Sequence, residues 1–200
     1  MTKHRSPDER ASQILDAARD CFLEKGYFAT RMDEIAEASG LSKGGIYFHF
    51  DSKKDIFRSL VEQEYEQAME FIDGVIDSQE GMAKTISDLG KHFTERFATT
   101  DAPRFQAIIV EMGIRDKDVR SMLLSLQESY IERLSEMIEE GVENGQLRPV
   151  DPDSAALLLK AIIDGIQAGY GIGYEPDNAK LIQTTMQILG KGLMAEGDDD

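Results

Sequence analysis

Residues 30–54 read Thr30-Arg31-Met32-Asp33-Glu34-Ile35-Ala36-Glu37-Ala38-Ser39-Gly40-Leu41-Ser42-Lys43-Gly44-Gly45-Ile46-Tyr47-Phe48-His49-Phe50-Asp51-Ser52-Lys53-Lys54. Thr30, followed three residues on by Asp33, predicts a capped helix start, with Ile35, Ala36 and Ala38 inside and Gly40 past its end. Ser42 predicts the cap of a third helix that contains Ile46, Tyr47 and Phe50. Two short helices joined by a glycine-containing turn of three to four residues make the helix-turn-helix pattern. Its mechanics suit duplex DNA, whose major groove is about 12 Å wide and admits one helix.

Helix signals continue on both sides. Ser6-Pro7-Asp8-Glu9 is a capping box with proline at the first helical position, and Ile14, Ala17, Ala18, Cys21 and Phe22 keep helical spacing until Gly26. Ser52-Lys53-Lys54-Asp55 opens a long helix toward Asp77. Helices are then expected over Met82–Ala98, Ala102–Ile114, Asp118–Glu143, Asp153–Gly169 and Asn178–Met194, with a frayed tail from Glu196 to Asp200. No segment alternates with the Val/Ile/Thr richness of a strand. The expected fold is all-α: a helix-turn-helix head over residues 1–54, suited to DNA, and a second helical domain over residues 55–200.

Composition narrows the function classes. With 41% apolar and 30% charged residues in 200, the chain is globular, and no run of 18 apolar residues marks a membrane span. No apolar segment follows Met1-Thr2-Lys3-His4-Arg5, and a single cysteine, Cys21, cannot form an internal disulfide, so a cytoplasmic protein is expected. The net charge of −16 is unevenly spread. Residues 1–54 carry 9 basic and 9 acidic groups, against 13 and 29 in the remainder. A neutral head on an acidic body meets a polyanion head first.

The stretch quoted above, with Tyr47-x-His49-Phe50 followed by Ser52-Lys53, resembles the DNA-binding head of the tetracycline-repressor (TetR) family over about residues 8–60. The resemblance implies a dimeric transcriptional regulator, usually a repressor released by a small molecule. It implies that Thr30 caps the second helix and offers its hydroxyl or N–H to a phosphate, with Arg31 beside it. It also implies that Ser42, Lys43, Gly44 and Gly45 start the recognition helix, that Tyr47 and His49 contact phosphates, and that Lys53 adds a cation. Lys43 is the expected base reader, since lysine donates to guanine O6 and N7. The two glycines weaken the helix by about 1 kcal/mol each, which a close backbone approach to DNA explains. They also leave few side chains for direct contacts, so DNA shape is expected to contribute. Ile46, Phe48 and Phe50 are assigned to packing, and Cys21 to a buried thiol.

Other signals point nowhere. Gly40-Leu41-Ser42-Lys43-Gly44 fits the G-x-S-x-G pattern, but a helix precedes it where a nucleophile elbow needs a strand. Gly169-Tyr170-Gly171-Ile172-Gly173 lacks the strand of a phosphate loop and reads as a loosening helix end. The residues three before His4, His49 and His92 are Met1, Ile46 and Leu89, so no Glu-x-x-His pair for a di-iron site exists. No metal, cofactor or catalytic residue is expected.

In the second domain, family likeness implies a dimer interface from the last two helices. Its expected members are Ala155, Leu158, Leu159, Ile162, Ile163 and Ile166, with Leu181, Ile182, Met186, Ile188 and Leu189. Phe93, Phe97, Phe105, Met112, Tyr130, Met137 and Tyr170 are the expected walls of an effector pocket lying between Met82 and Tyr170. Glu111 and Asp164 interrupt apolar runs, and Arg115 and Lys160, each four residues away, predict intrahelical ion pairs for them. The competing reading is a helical ligand-binding or protein-interaction module without specific DNA binding.

Overall fold

A computed structural model of the chain describes residues 6–78 and 80–193. Among them lie nine helices: α1 (Pro7–Lys25), α2 (Met32–Ser39), α3 (Lys43–Tyr47), α4 (Lys53–Asp77), α5 (Met82–Thr99), α6 (Ala102–Arg115), α7 (Lys117–Glu143), α8 (Pro152–Gly171) and α9 (Asn178–Leu193). No strand occurs among the described residues. The expected tail from Glu196 to Asp200 and the last residue of the ninth helix, Met194, lie outside them.

The chain divides into two compact units. The first runs to Gln67 and takes in Ala107–Arg120; the second holds Ala68–Gln106 and the chain from Ser121 onward. Helices α4, α6 and α7 therefore contribute residues to both.

The first unit is built from capped helices around one apolar centre. The Ser6 hydroxyl accepts from the Glu9 N–H at 3.2 Å, and the Glu9 carboxylate accepts from the Ser6 N–H at 2.7 Å. Ile14, Phe22, Ile35, Ile46, Ile56, Phe57 and Val61 are fully buried, each contributing roughly 1.5–3 kcal/mol relative to exposure. Cys21 is buried with them, and burial pushes its thiol up from the ordinary value. The α2–α3 turn depends on Gly40, which sits in the left-handed region at φ 66° and returns its N–H to Ala36 and Glu37 carbonyls. A side chain there would be strained.

The second unit packs α5, α7, α8 and α9 about Phe93, Phe97, Tyr130, Leu134 and Met137. Arg133 of α7 pairs with Asp73 of α4 at 2.6 Å. Gly171, near the end of α8, allows close approach to the start of α6: a Cβ there would stand 2.9 Å from the Pro103 carbonyl oxygen. No helix among the described residues is long and apolar enough to cross a membrane, and none of their His, Cys, Asp and Glu side chains cluster in threes as a metal site would need.

Candidate nucleic-acid interface and cavity

Helix α3 carries the outward face of the first unit. The Ser42 hydroxyl accepts from the Gly45 N–H at 3.1 Å and so starts the helix. Ile46 and Phe50, four residues apart, are buried, which turns Lys43, Gly44, Tyr47 and Phe48 toward solvent. Lys43 ends in an exposed ion pair with Asp33 of α2, 2.7 Å long, which raises the lysine above its ordinary value. Arg31 is exposed at the start of α2, and His49 is half-buried just past α3.

Two residues placed at phosphates by sequence are engaged inside the unit. Thr30 does not cap α2; that position belongs to Arg31, whose N–H donates to the Glu34 carboxylate at 2.8 Å. Thr30 is instead 1% exposed, its hydroxyl directed at the carbonyls of Gly26 (2.9 Å) and Cys21 (3.1 Å), and its N–H donates to the Gly26 carbonyl. The Lys53 ammonium donates to the carbonyls of Tyr27 and Thr30, both at 2.6 Å, and lies 4.4 Å from the Tyr27 ring centroid. Burial pushes Lys53 below the ordinary lysine value. It pins the α1–α2 loop to the start of α4, so it positions α2 and α3.

Phe48 also departs from expectation. Assigned to packing, it is 81% exposed, because α3 ends at Tyr47 and position 48 lies two residues from inward-facing Ile46 and Phe50.

A further latch ties the α6–α7 turn to this unit, and no sequence motif announces it. The Lys54 ammonium donates to Asp118 at 2.8 Å and Asp116 at 2.9 Å, which raises the lysine and holds Asp116 below the usual carboxylate range. Arg115 sits 5.1 Å from the centroid of the exposed Phe28 ring.

In the second unit a cavity of about 70 Å³ lies among α5, α7, α8 and α9. Of the seven expected pocket residues, Phe93, Phe97 and Tyr130 line it. Phe105 is fully buried elsewhere, Met112 belongs to the first unit, and Met137 borders a separate hollow beside Gly141. Tyr170 stands behind the wall, its ring 6.3 Å from Phe97 and its hydroxyl bonded to Asn178. Leu159, Ile162, Ile163 and Ile166 of α8, with Leu181, Ile182, Met186 and Leu189 of α9, also line it. Eight of the eleven residues assigned to a dimer interface thus face the cavity, and α9, outside the expected pocket span, supplies part of its wall. Asp164 pairs with Lys160 at 2.5 Å and Glu111 with Arg115 at 3.0 Å, as their spacing predicts.

The family model for bacterial regulatory proteins of the tetR family matches residues 14–60. The AefR-like transcriptional repressor C-terminal domain matches residues 84–168. The HTH-type transcriptional regulator YfiR of Bacillus subtilis is 31% identical over 149 residues, covering 72% of this chain and 71% of the relative. The chain belongs to the TetR family. The HTH-type transcriptional repressor AcnR of Corynebacterium diphtheriae is 25% identical over 174 residues, with 86% and 87% of the two chains covered. The solved structure of Salmonella enterica GusR superposes with a TM-score of 0.76 at 25% identity, covering 95% of this chain and all of that one. The TetR match spans most of α1 through Leu60, and so contains α2, the turn and α3. The C-terminal match stops within α8, before α9. The chain is a DNA-binding transcriptional regulator of the TetR type.

Proposed function

We propose that the chain is a repressor that binds a palindromic operator as a homodimer and is released by a small hydrophobic effector. The observation that carries the DNA-binding half is the outward face of α3. Lys43 and Tyr47 stand exposed on it while Ile46 and Phe50 hold the helix from behind. In this reading Lys43 exchanges Asp33 for a base edge. Ser42, Gly44 and Gly45 bring the backbone close to DNA, while Arg31, Tyr47 and His49 meet phosphates. Thr30 and Lys53 act behind them by fixing the loop that carries α2. The neutral head presents no net repulsion to DNA, whereas the rest of the chain, at −16, stays away from it.

A second copy of the chain would cover the outer side of α8 and α9. Leu157, Ala161, Gly165 and Ala168 fall on one exposed stripe of α8, with Leu158 beside it and Ile188 exposed on α9. Dimerisation spaces two recognition helices about 34–36 Å apart, one turn of the duplex.

The cavity favours an effector whose buried part is hydrocarbon. Thr94, Thr185 and Tyr130 are the polar residues on its wall, and the Thr94 hydroxyl is already bonded to the Gly90 carbonyl at 2.8 Å. A charged headgroup would lose its hydration there with no charged side chain on the wall to pair with it. Entry must enlarge a space of about 70 Å³, since an apolar hole of about 150 Å³ is what accepts benzene. The effector acts through its differential affinity for dimers whose heads fit or miss the operator.

Selection from random duplex DNA, followed by affinity measurement across salt, tests the reading. An enriched palindrome with steeply salt-dependent binding is expected. Failure of ligand-stripped protein to enrich any sequence contradicts it and favours an interaction module.

A further inference from the structure

Phe48 is the most exposed large apolar side chain among the described residues of the first unit. It shares a face with Lys43, Gly44 and Tyr47, because the buried pair Ile46 and Phe50 fixes the opposite side. Gly44 lies one turn before it, joined by a 3.1 Å bond from the Phe48 N–H to the Gly44 carbonyl. A Cβ on Gly44 would meet nothing within 4 Å, so packing inside the protein does not demand glycine there. The glycine leaves the α3 backbone bare on the exposed face that also carries Phe48. The ring also stands edge-to-face with His49, centroids 5.2 Å apart at 84°, which restrains its direction before any partner arrives.

A phenyl ring has no hydrogen bond to give a phosphate or a polar base edge. The apolar group that the major groove displays is the thymine C5-methyl. We infer that Phe48 is a specificity-determining residue that reads a thymine in each half-site through that methyl. This rests on α3 being the recognition helix. With two glycines in α3, such a contact would supply part of the sequence preference that Lys43 alone cannot.

The test uses the full-length protein and the operator recovered by selection. Each thymine and its symmetry mate is replaced by uracil, and affinities are measured for the wild type and for Phe48→Ala. At one thymine per half-site the wild type is expected to lose about fourfold per half-site, the worth of one methyl withdrawn from water. Phe48→Ala should bind the unmodified operator correspondingly less well and be indifferent to that uracil. Because the side chain is exposed, its thermal midpoint should match the wild type. An operator on which every uracil weakens the two proteins equally overturns the inference and leaves the DNA-binding reading intact. A selection that enriches nothing overturns both.

Discussion

Helices α1 and α8 have nearly equal lengths, 19 and 20 residues, and opposite fates. α1 holds eight apolar residues and buries six within the chain. α8 holds eleven and buries Ala156 alone, with Lys160 beside it. The first unit closes its core with its own side chains. The α8–α9 layer leaves apolar surface on one side and a cavity on the other, as the proposed dimer interface and effector site require. A helix that is apolar nearly all round belongs in a core, and in the proposed dimer a second copy supplies the missing part of it.

Charging the exposed α8–α9 layer should have the largest effect. Leu158→Glu with Ile188→Glu should yield a folded monomer that loses operator affinity by about 100-fold or more, because two heads no longer act as one ligand. Sedimentation velocity and operator titration read both effects. A double variant that stays dimeric would place the interface elsewhere.

The head, by contrast, should answer to changes inside it. Lys53→Met removes the cation that holds the Tyr27 and Thr30 carbonyls and should cost about 1–2 kcal/mol in urea unfolding. Its salt slope for DNA should stay near the wild-type value, since the ammonium is engaged internally. A slope flattened by about one unit would return Lys53 to a phosphate. Asp33→Asn releases Lys43 and removes a negative charge from the interface; operator affinity should rise about two- to fivefold at low salt.

The smallest effect concerns acid. Asp116 is held below the usual carboxylate range chiefly by the Lys54 ammonium, and Glu34, Asp88, Asp151 and Asp177 are also depressed. A depressed carboxylate stabilises the fold above its ordinary pKa, and that contribution is lost as pH falls toward its native value. The thermal midpoint should therefore drop from about pH 6 to about pH 3, and the wild type's advantage over Asp116→Asn should shrink over that window. An advantage constant with pH would deny the Lys54 latch an electrostatic role.

The sequence revealed most of the scaffold because helix starts are local chemistry. Ser6, Ser42 and Ser52 each accept from the N–H three residues on, as their spacing predicts. What it concealed depends on direction. Thr30 has the right residue type for a cap, but it lies where its hydroxyl meets the end of α1 instead of the start of α2. Lys53 looks like a solvated cation until the α1–α2 loop folds over it. Phe48 reads as core by composition, although its two-residue offset from Ile46 already pointed outward. Aromatic residues in the second unit were recognisable as buried, but which of them face a cavity is set by tertiary packing, so only Phe93, Phe97 and Tyr130 reached it.

Two second units, each incomplete alone, should together make one DNA-binding protein. Sedimentation equilibrium of the chain with its selected duplex measures this directly. Two chains per duplex, with the charged double variant failing to form that complex, is the predicted result. A single chain per duplex at undiminished affinity would contradict the account.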